Sequence, residues 1–129
     1  MGIGSHEVRG HPFVWFNVIN EPGENANYGV GVVDPQWLSW NSYLAGRIRA
    51  TGATNPIVVD GSNNGQDIQY NTDNGALARQ DASAIRTYGP QILANFSNII
   101  FSLHVYDVWG KGTDAQNQAR LNEIGRAHV

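Results

Sequence analysis

The sequence contains no cysteine. Disulfide frameworks, thiolate metal sites and cysteine nucleophiles are excluded, and the redox compartment is left open. Charge is sparse as well. Asp, Glu, Lys and Arg make up 15% of the 129 residues, the net charge is −3, and no block of like charge occurs. Phosphate backbones are held by clustered Lys and Arg, so nucleic acid is not an expected partner. No apolar run approaches the roughly 18 residues of a membrane span. Residues 1–6 lack the basic start and apolar stretch of a signal peptide. Internal repeats and low-complexity tracts are absent too. The 41% hydrophobic content fits one globular domain.

Three nearly continuous apolar runs are present, at residues 13–19, 56–59 and 99–103. Each is rich in β-branched or aromatic residues and none alternates cleanly, which predicts strands buried on both faces of a parallel sheet. Helices are expected between them. Asp34 is placed to cap the first and Pro35 to open it. Trp37, Trp40, Leu44 and Ile48 then recur on one face, so Trp37 and Trp40 read as core, and Gly52 reads as a stop. A second helical region spans about 76–96, split at Gly89-Pro90 with Pro90 opening a new helix. A last polar helix covers 113–121. The order strand, helix, strand, helix, strand, helix is two successive βαβ units, suited to a doubly wound sheet or part of a (β/α)8 barrel.

Each run ends in polar residues: Asn20-Glu21-Pro22-Gly23, then Asp60 to Asn64, then His104, Tyr106 and Asp107. In α/β architectures the site forms where the loops at the carboxyl ends of the strands converge. Glu21 is the candidate acid for protonating a leaving oxygen, given a partly apolar surround that holds its pKa up. Pro22 is expected to bias Glu21 toward an extended backbone, and Asn20 offers a donor and an acceptor to a sugar hydroxyl. Trp109 is a candidate for stacking on a sugar ring.

Residues 13–23, ending in Asn20-Glu21-Pro22-Gly23, resemble the fourth strand of the (β/α)8 glycoside hydrolases that include cellulases and β-mannanases. Residues 102–106, Ser-Leu-His-Val-Tyr, resemble their sixth strand, and residues 57–67 their fifth strand and its loop. The resemblance covers most of residues 11–110 and implies an α/β fold, about half of a barrel, from roughly strand four to strand six. It implies that Glu21 is the general acid/base, that Asn20 contacts the sugar 2-hydroxyl, and that His104 and Tyr106 line the cleft. It further implies secretion, a polysaccharide or oligosaccharide partner, no metal and no cofactor. The family's nucleophile is a Glu after the seventh strand, which this chain is expected to lack; Asp60, Asp67 and Asp107 read as loop, cap or rim residues, and Glu24 is too near Glu21 in sequence to oppose it. The loop after the fifth strand often carries an aromatic residue in these enzymes, where Asn63 and Asn64 stand here.

The resemblance therefore implies a fragment of a retaining hydrolase of β-1,4-glucan or mannan. Residues 1–122 are expected to be a partial catalytic domain. Residues 123–129 read as a translation of GAGATCGGAAGAGCACACGTC, a string resembling a sequencing adapter. The alternative is a non-catalytic α/β domain that binds carbohydrate. Other motifs carry less. His6 and His11 are five apart rather than the four a helical zinc site needs, Gly29-Val-Gly31 lacks a third glycine and a preceding strand, and Asn95-Phe-Ser97 fits a glycosylation acceptor only in a eukaryotic secretory pathway.

Overall fold

The computed structural model describes residues 10–23, 35–71, 78–80, 83–106 and 109–126. Three of its strands form one parallel sheet: β1 (Phe16–Asn17), β2 (Ile57–Asp60) and β5 (Ile99–Ser102), in the order β1-β2-β5. Phe16 pairs with Ile57, and Ile57 in turn with Ile99; the register continues to Asp60 beside Ser102. The helices α1 (Gln36–Ala50) and α2 (Ala84–Asn95) are the crossovers, and α3 (Asp114–Arg126) follows β5. The sheet is open, with β1 and β5 as its edges among the described residues.

Among the described residues, only one face of this sheet is covered. Ile57 and Val59 are fully buried and join Trp37, Ala45, Ala84, Ile85, Ile92 and Ile124 in the core. Phe101 packs against the same cluster. Asn17 and Ile100, in register with Val58 between them, are exposed on the other face. Burial on both faces, expected from the unbroken apolar runs, is therefore not what the described residues show. Phe13 and Trp15, at 87% and 59% exposure, belong to the same departure.

Helix α1 starts one residue later than expected, with Pro35 as its cap; Asp34 lies outside the described residues. Its buried stripe is Trp37, Asn41 and Ala45, flanked by partly buried Leu38 and Ile48. Trp40 is exposed rather than core, because a three-residue step from Trp37 rotates it toward the edge of the buried face. Gly52 ends the helix as expected, at φ +82° with its N–H on the Arg49 carbonyl at 2.9 Å.

The segment expected as helix from residue 76 instead holds a strand. β3 (Gln69–Asn71) and β4 (Ala78–Gln80) pair antiparallel, so cross-strand hydrogen bonding overrides local helix propensity there. Helix α2 begins only after Ser83, whose extended backbone and hydroxyl, accepting from Arg86 N–H at 3.0 Å, make it the N-cap. Pro90 does not split α2 but lies inside it. The clash that bars a right-handed turn before proline involves the preceding Cβ, which Gly89 lacks. The same glycine admits the Phe101 ring, 3.3 Å from where a Cβ would stand. Helix α3 opens on a reciprocal cap in which Thr113 N–H donates to Gln116 Oε1 at 2.8 Å and Gln116 N–H to Thr113 Oγ1 at 3.3 Å. It runs on to Arg126, five residues beyond the expected 121.

At the amino ends of the strands, Arg49 binds β2 and β5 together. Its guanidinium donates to the carbonyls of Ala53 at 3.1 Å, Asn55 at 3.0 Å and Ser97 at 2.7 Å. Asn55 in turn donates to the carbonyls of His11 at 3.0 Å and Val14 at 2.9 Å, tying down the entry to β1. The opposite, carboxyl end is left free to build a site.

Candidate active site

Three successive strand ends meet through backbone bonds before any side chain is considered. Asn64 N–H donates to Pro22 carbonyl at 3.0 Å, Gly61 N–H to Ser102 carbonyl at 3.0 Å, and His104 N–H to Gly65 carbonyl at 2.9 Å. The middle loop, residues 61–67, is thus the keystone between the ends of β1 and β5. Its path needs residues that accept positive φ: Asn63 at +51°, Asn64 at +55°, Gly65 at +79° and Asp67 at +54°. Asparagine, aspartate and glycine are the residues most tolerant of that region, which gives Asn63 and Asn64 a backbone reason for standing where an aromatic residue was the family expectation.

The loop is anchored by Asp67, which is fully buried and closes the start of α2. Its carboxylate accepts from Ala84 N–H at 2.8 Å, from Ile85 N–H at 3.3 Å, from Ser62 N–H at 3.2 Å and hydroxyl at 3.3 Å, and from the Ser83 hydroxyl. Burial pushes its pKa up to about 6 against the opposing pull of these donors, Ser83 first. Asp67 is therefore a cap, as the sequence suggested.

Glu21 stands at the centre of the cluster. His104 Nδ1 lies 2.8 Å from Glu21 Oε1, and Tyr106 Oη 2.9 Å from the same oxygen. Tyr106 Oη is also 2.8 Å from the Asn64 carbonyl, so its single proton serves one acceptor at a time. Asp60, fully buried at the end of β2, lies behind the ring: its Oδ2 is 3.3 Å from His104 Nε2 and accepts from Glu21 N–H at 3.1 Å. Trp37 Nε1–H holds the Asp60 carbonyl at 2.9 Å.

Two expectations about Glu21 are corrected. Its backbone is not extended: φ is +49°, a region that disfavours residues with a Cβ and that the Asp60 bond to its N–H helps to hold. Nor is its pKa held up. Hydrogen bonds from His104, then from Tyr106, lower it below the ordinary carboxylate value, and the weaker desolvation does not reverse this, since the side chain keeps 41% exposure.

Of the sequence candidates, Glu21, His104 and Tyr106 are brought into contact, and Asn20 is exposed beside them. Trp109 is not part of this surface. It is 3% exposed, and its Nε1–H donates to the buried Gln66 carbonyl at 2.9 Å, so its ring presents no face for stacking on a sugar. Asp60 is the residue whose role the sequence reading missed. Its position one residue before Gly61, at the end of a buried strand, was the available signal. Asp107, Glu24, Gly29, Gly31, His6 and His128 lie outside the described residues.

Comparison with known proteins points to one family. The family model described as Cellulase (glycosyl hydrolase family 5) matches residues 6–128. A mannan endo-1,4-beta-mannosidase of Cellvibrio japonicus (strain Ueda107) is 30% identical over 105 residues, which is 81% of this chain. The chain spans 21% of that relative's length. No solved structure matches. The family folds as a (β/α)8 barrel, and the three parallel strands with their crossover helices are an open part of one. The chain belongs to the cellulase family, glycosyl hydrolase family 5.

Proposed function

We propose that this chain is part of a retaining glycoside hydrolase that cleaves β-1,4-linked glucan or mannan, with Glu21 as its general acid/base. One observation carries the reading: a partly exposed carboxylate, that of Glu21, follows a barrel strand and is held by His104 and Tyr106 from a second strand end, while Asp60 from a third accepts from the Glu21 backbone N–H. Retaining hydrolysis uses two carboxyl groups about 5–5.5 Å apart, one to attack the anomeric carbon and one to protonate the departing oxygen. Asp60 and Asp67 are buried and already engaged, so neither opens onto the space before Glu21. On this proposal, as the family resemblance implies, the nucleophile comes from outside these 129 residues, which alone do not turn over substrate. Asn20 holds the 2-hydroxyl of the sugar at the cleavage point. Secretion belongs to the same proposal, because a polymer too large to enter a cell has to be cut outside it.

The test is made on the intact coding region that carries this chain. The expressed enzyme should release sugar from β-1,4-glucan or β-1,4-mannan with retained anomeric configuration. Glu21→Gln should lower kcat by about 10²- to 10⁴-fold, the range a general acid/base supplies. Saturable oligosaccharide binding without hydrolysis would instead establish a non-catalytic carbohydrate-binding domain.

A further inference from the structure

The Asp60 carboxylate is completely buried, yet it sits at the carboxyl end of β2 among the residues of the site. A buried carboxylate needs donors. Those closest to its Oδ2 are Glu21 N–H at 3.1 Å and His104 Nε2 at 3.3 Å, with Asn17 Nδ2 at 3.5 Å from both oxygens. One oxygen therefore touches both the backbone of Glu21 and the ring that faces the Glu21 carboxylate. The opposite ring nitrogen, Nδ1, is 2.8 Å from Glu21 Oε1. The imidazole is thus clamped between two carboxylates.

This clamp restricts where protons sit. A carboxylate accepts and does not donate, so the ring nitrogen facing buried Asp60 is satisfied only when it carries hydrogen. With Nε2 protonated, Nδ1 of a neutral ring is an acceptor, and contact with Glu21 Oε1 then requires exactly one more proton between the two atoms. That proton rests either on Nδ1 of the imidazolium or on the carboxyl of Glu21. Among the described residues, Tyr106, 2.9 Å from the same Oε1, is the other titratable group facing the pair.

We propose that Asp60 is a positioning residue which keeps His104 protonated at Nε2, so that His104 Nδ1 and Glu21 Oε1 hold one transferable proton between them. The inference rests on the reading of Glu21 as acid/base. In the forward step the nucleophilic carboxylate, which the proposed function places outside this chain, bonds to the anomeric carbon while the shared proton passes through Glu21 to the glycosidic oxygen; the bond between that oxygen and the anomeric carbon breaks, and its electron pair stays on the oxygen. Neutral His104 stays bound to Asp60 through Nε2–H. When water later attacks the anomeric carbon, the bond to the nucleophile breaks and releases its carboxylate, Glu21 takes up the water's proton, and the pair is restored.

Nitrogen NMR of the intact polypeptide that carries this chain, labelled with ¹⁵N-histidine, tests this without depending on turnover. The wild type should show neutral His104 as the Nε2-protonated tautomer. Asp60→Ala should redistribute the two tautomers, and Asp60→Asn, which retains an acceptor oxygen, should restore the wild-type pattern in part. In hydrolysis, Asp60→Ala should lower kcat by about ten- to a hundredfold while KM changes by less than about twofold. A wild-type His104 that carries its proton on Nδ1, or an Asp60→Ala ring with the wild-type tautomer, overturns the proposal. Should Asp60→Ala fail to fold, the wild-type spectrum decides, since a bare Nε2 there refutes the proposal. An enzyme with the Nε2 proton in place and no hydrolysis would overturn the acid/base reading while upholding the hold of Asp60 on His104.

Discussion

Gly65→Ala is a one-carbon change that should dismantle the site from behind. Gly65 has φ +79°, a region where a Cβ costs about 1–2 kcal/mol. An added Cβ would also stand 2.8 Å from His104 Cγ, 3.0 Å from Nδ1 and 3.1 Å from Cδ2. Ordinary contact begins near 3.4 Å, so the ring has to retreat by about 0.6 Å. It has little room to do so, because Nδ1 is engaged by Glu21 and Nε2 by Asp60, and the backbone N–H of His104 is tied to Gly65 itself. Losing one of these contacts adds about 1 kcal/mol, giving a total near 2–3 kcal/mol. Urea denaturation of the intact protein measures the stability loss, and the ¹⁵N shifts of His104 measure the displacement. A variant as stable as the wild type, with unchanged His104 shifts, would refute the placement of Gly65 against the ring and the keystone role of the 61–67 loop.

Two further perturbations act on the frame. The folded-state pKa of Asp67, near 6, lies above its unfolded value of 3.8, so the folded state binds the extra proton between them. The stability this group contributes is therefore fully present below about pH 4 and is lost as pH rises through 6, by on the order of 3 kcal/mol. Urea melts from pH 4 to 7 should show this downward component, and Asp67→Asn should remove it; equal slopes for the two proteins would contradict the burial argument. Arg49→Ala releases the carbonyls of Ala53, Asn55 and Ser97 at the amino ends of β2 and β5. It should cost about 2–3 kcal/mol in denaturation, the range for hydrogen bonds to a charged group. Amide exchange should quicken at Ile57, whose N–H meets the Asn98 carbonyl at 3.0 Å beneath this clamp.

Much of the architecture was legible in residue order. Apolar runs of strand length, with helical periodicity between them, announced two βαβ units, and all three strands pair as expected. Gly52 was readable as a stop because a left-handed cap favours a residue without a Cβ. Local reading failed where distant partners decided the outcome. Residues 78–80 have helical composition but pair with Gln69–Asn71. Pro90 stays within α2 because Gly89 removes the clash and Phe101 fills the space. Trp109 and Trp40 exchange the roles expected of them, since an aromatic ring reads the same in sequence whether it is buried or exposed.

What the sequence determined by itself is the chemistry available and the strand end where each group falls. Glu21 follows an apolar strand, His104 and Tyr106 follow another, and the polar residues that end each apolar run fall at the carboxyl edge. Tertiary structure alone decided which of them touch. Asp60 is 39 residues from Glu21 and 44 from His104, and parallel register brings the three together. The same assembly reversed the expected shift of the Glu21 pKa. A carboxyl group's proton affinity depends on its neighbours in space, and here those are hydrogen-bond donors from a strand more than eighty residues away rather than an apolar surround.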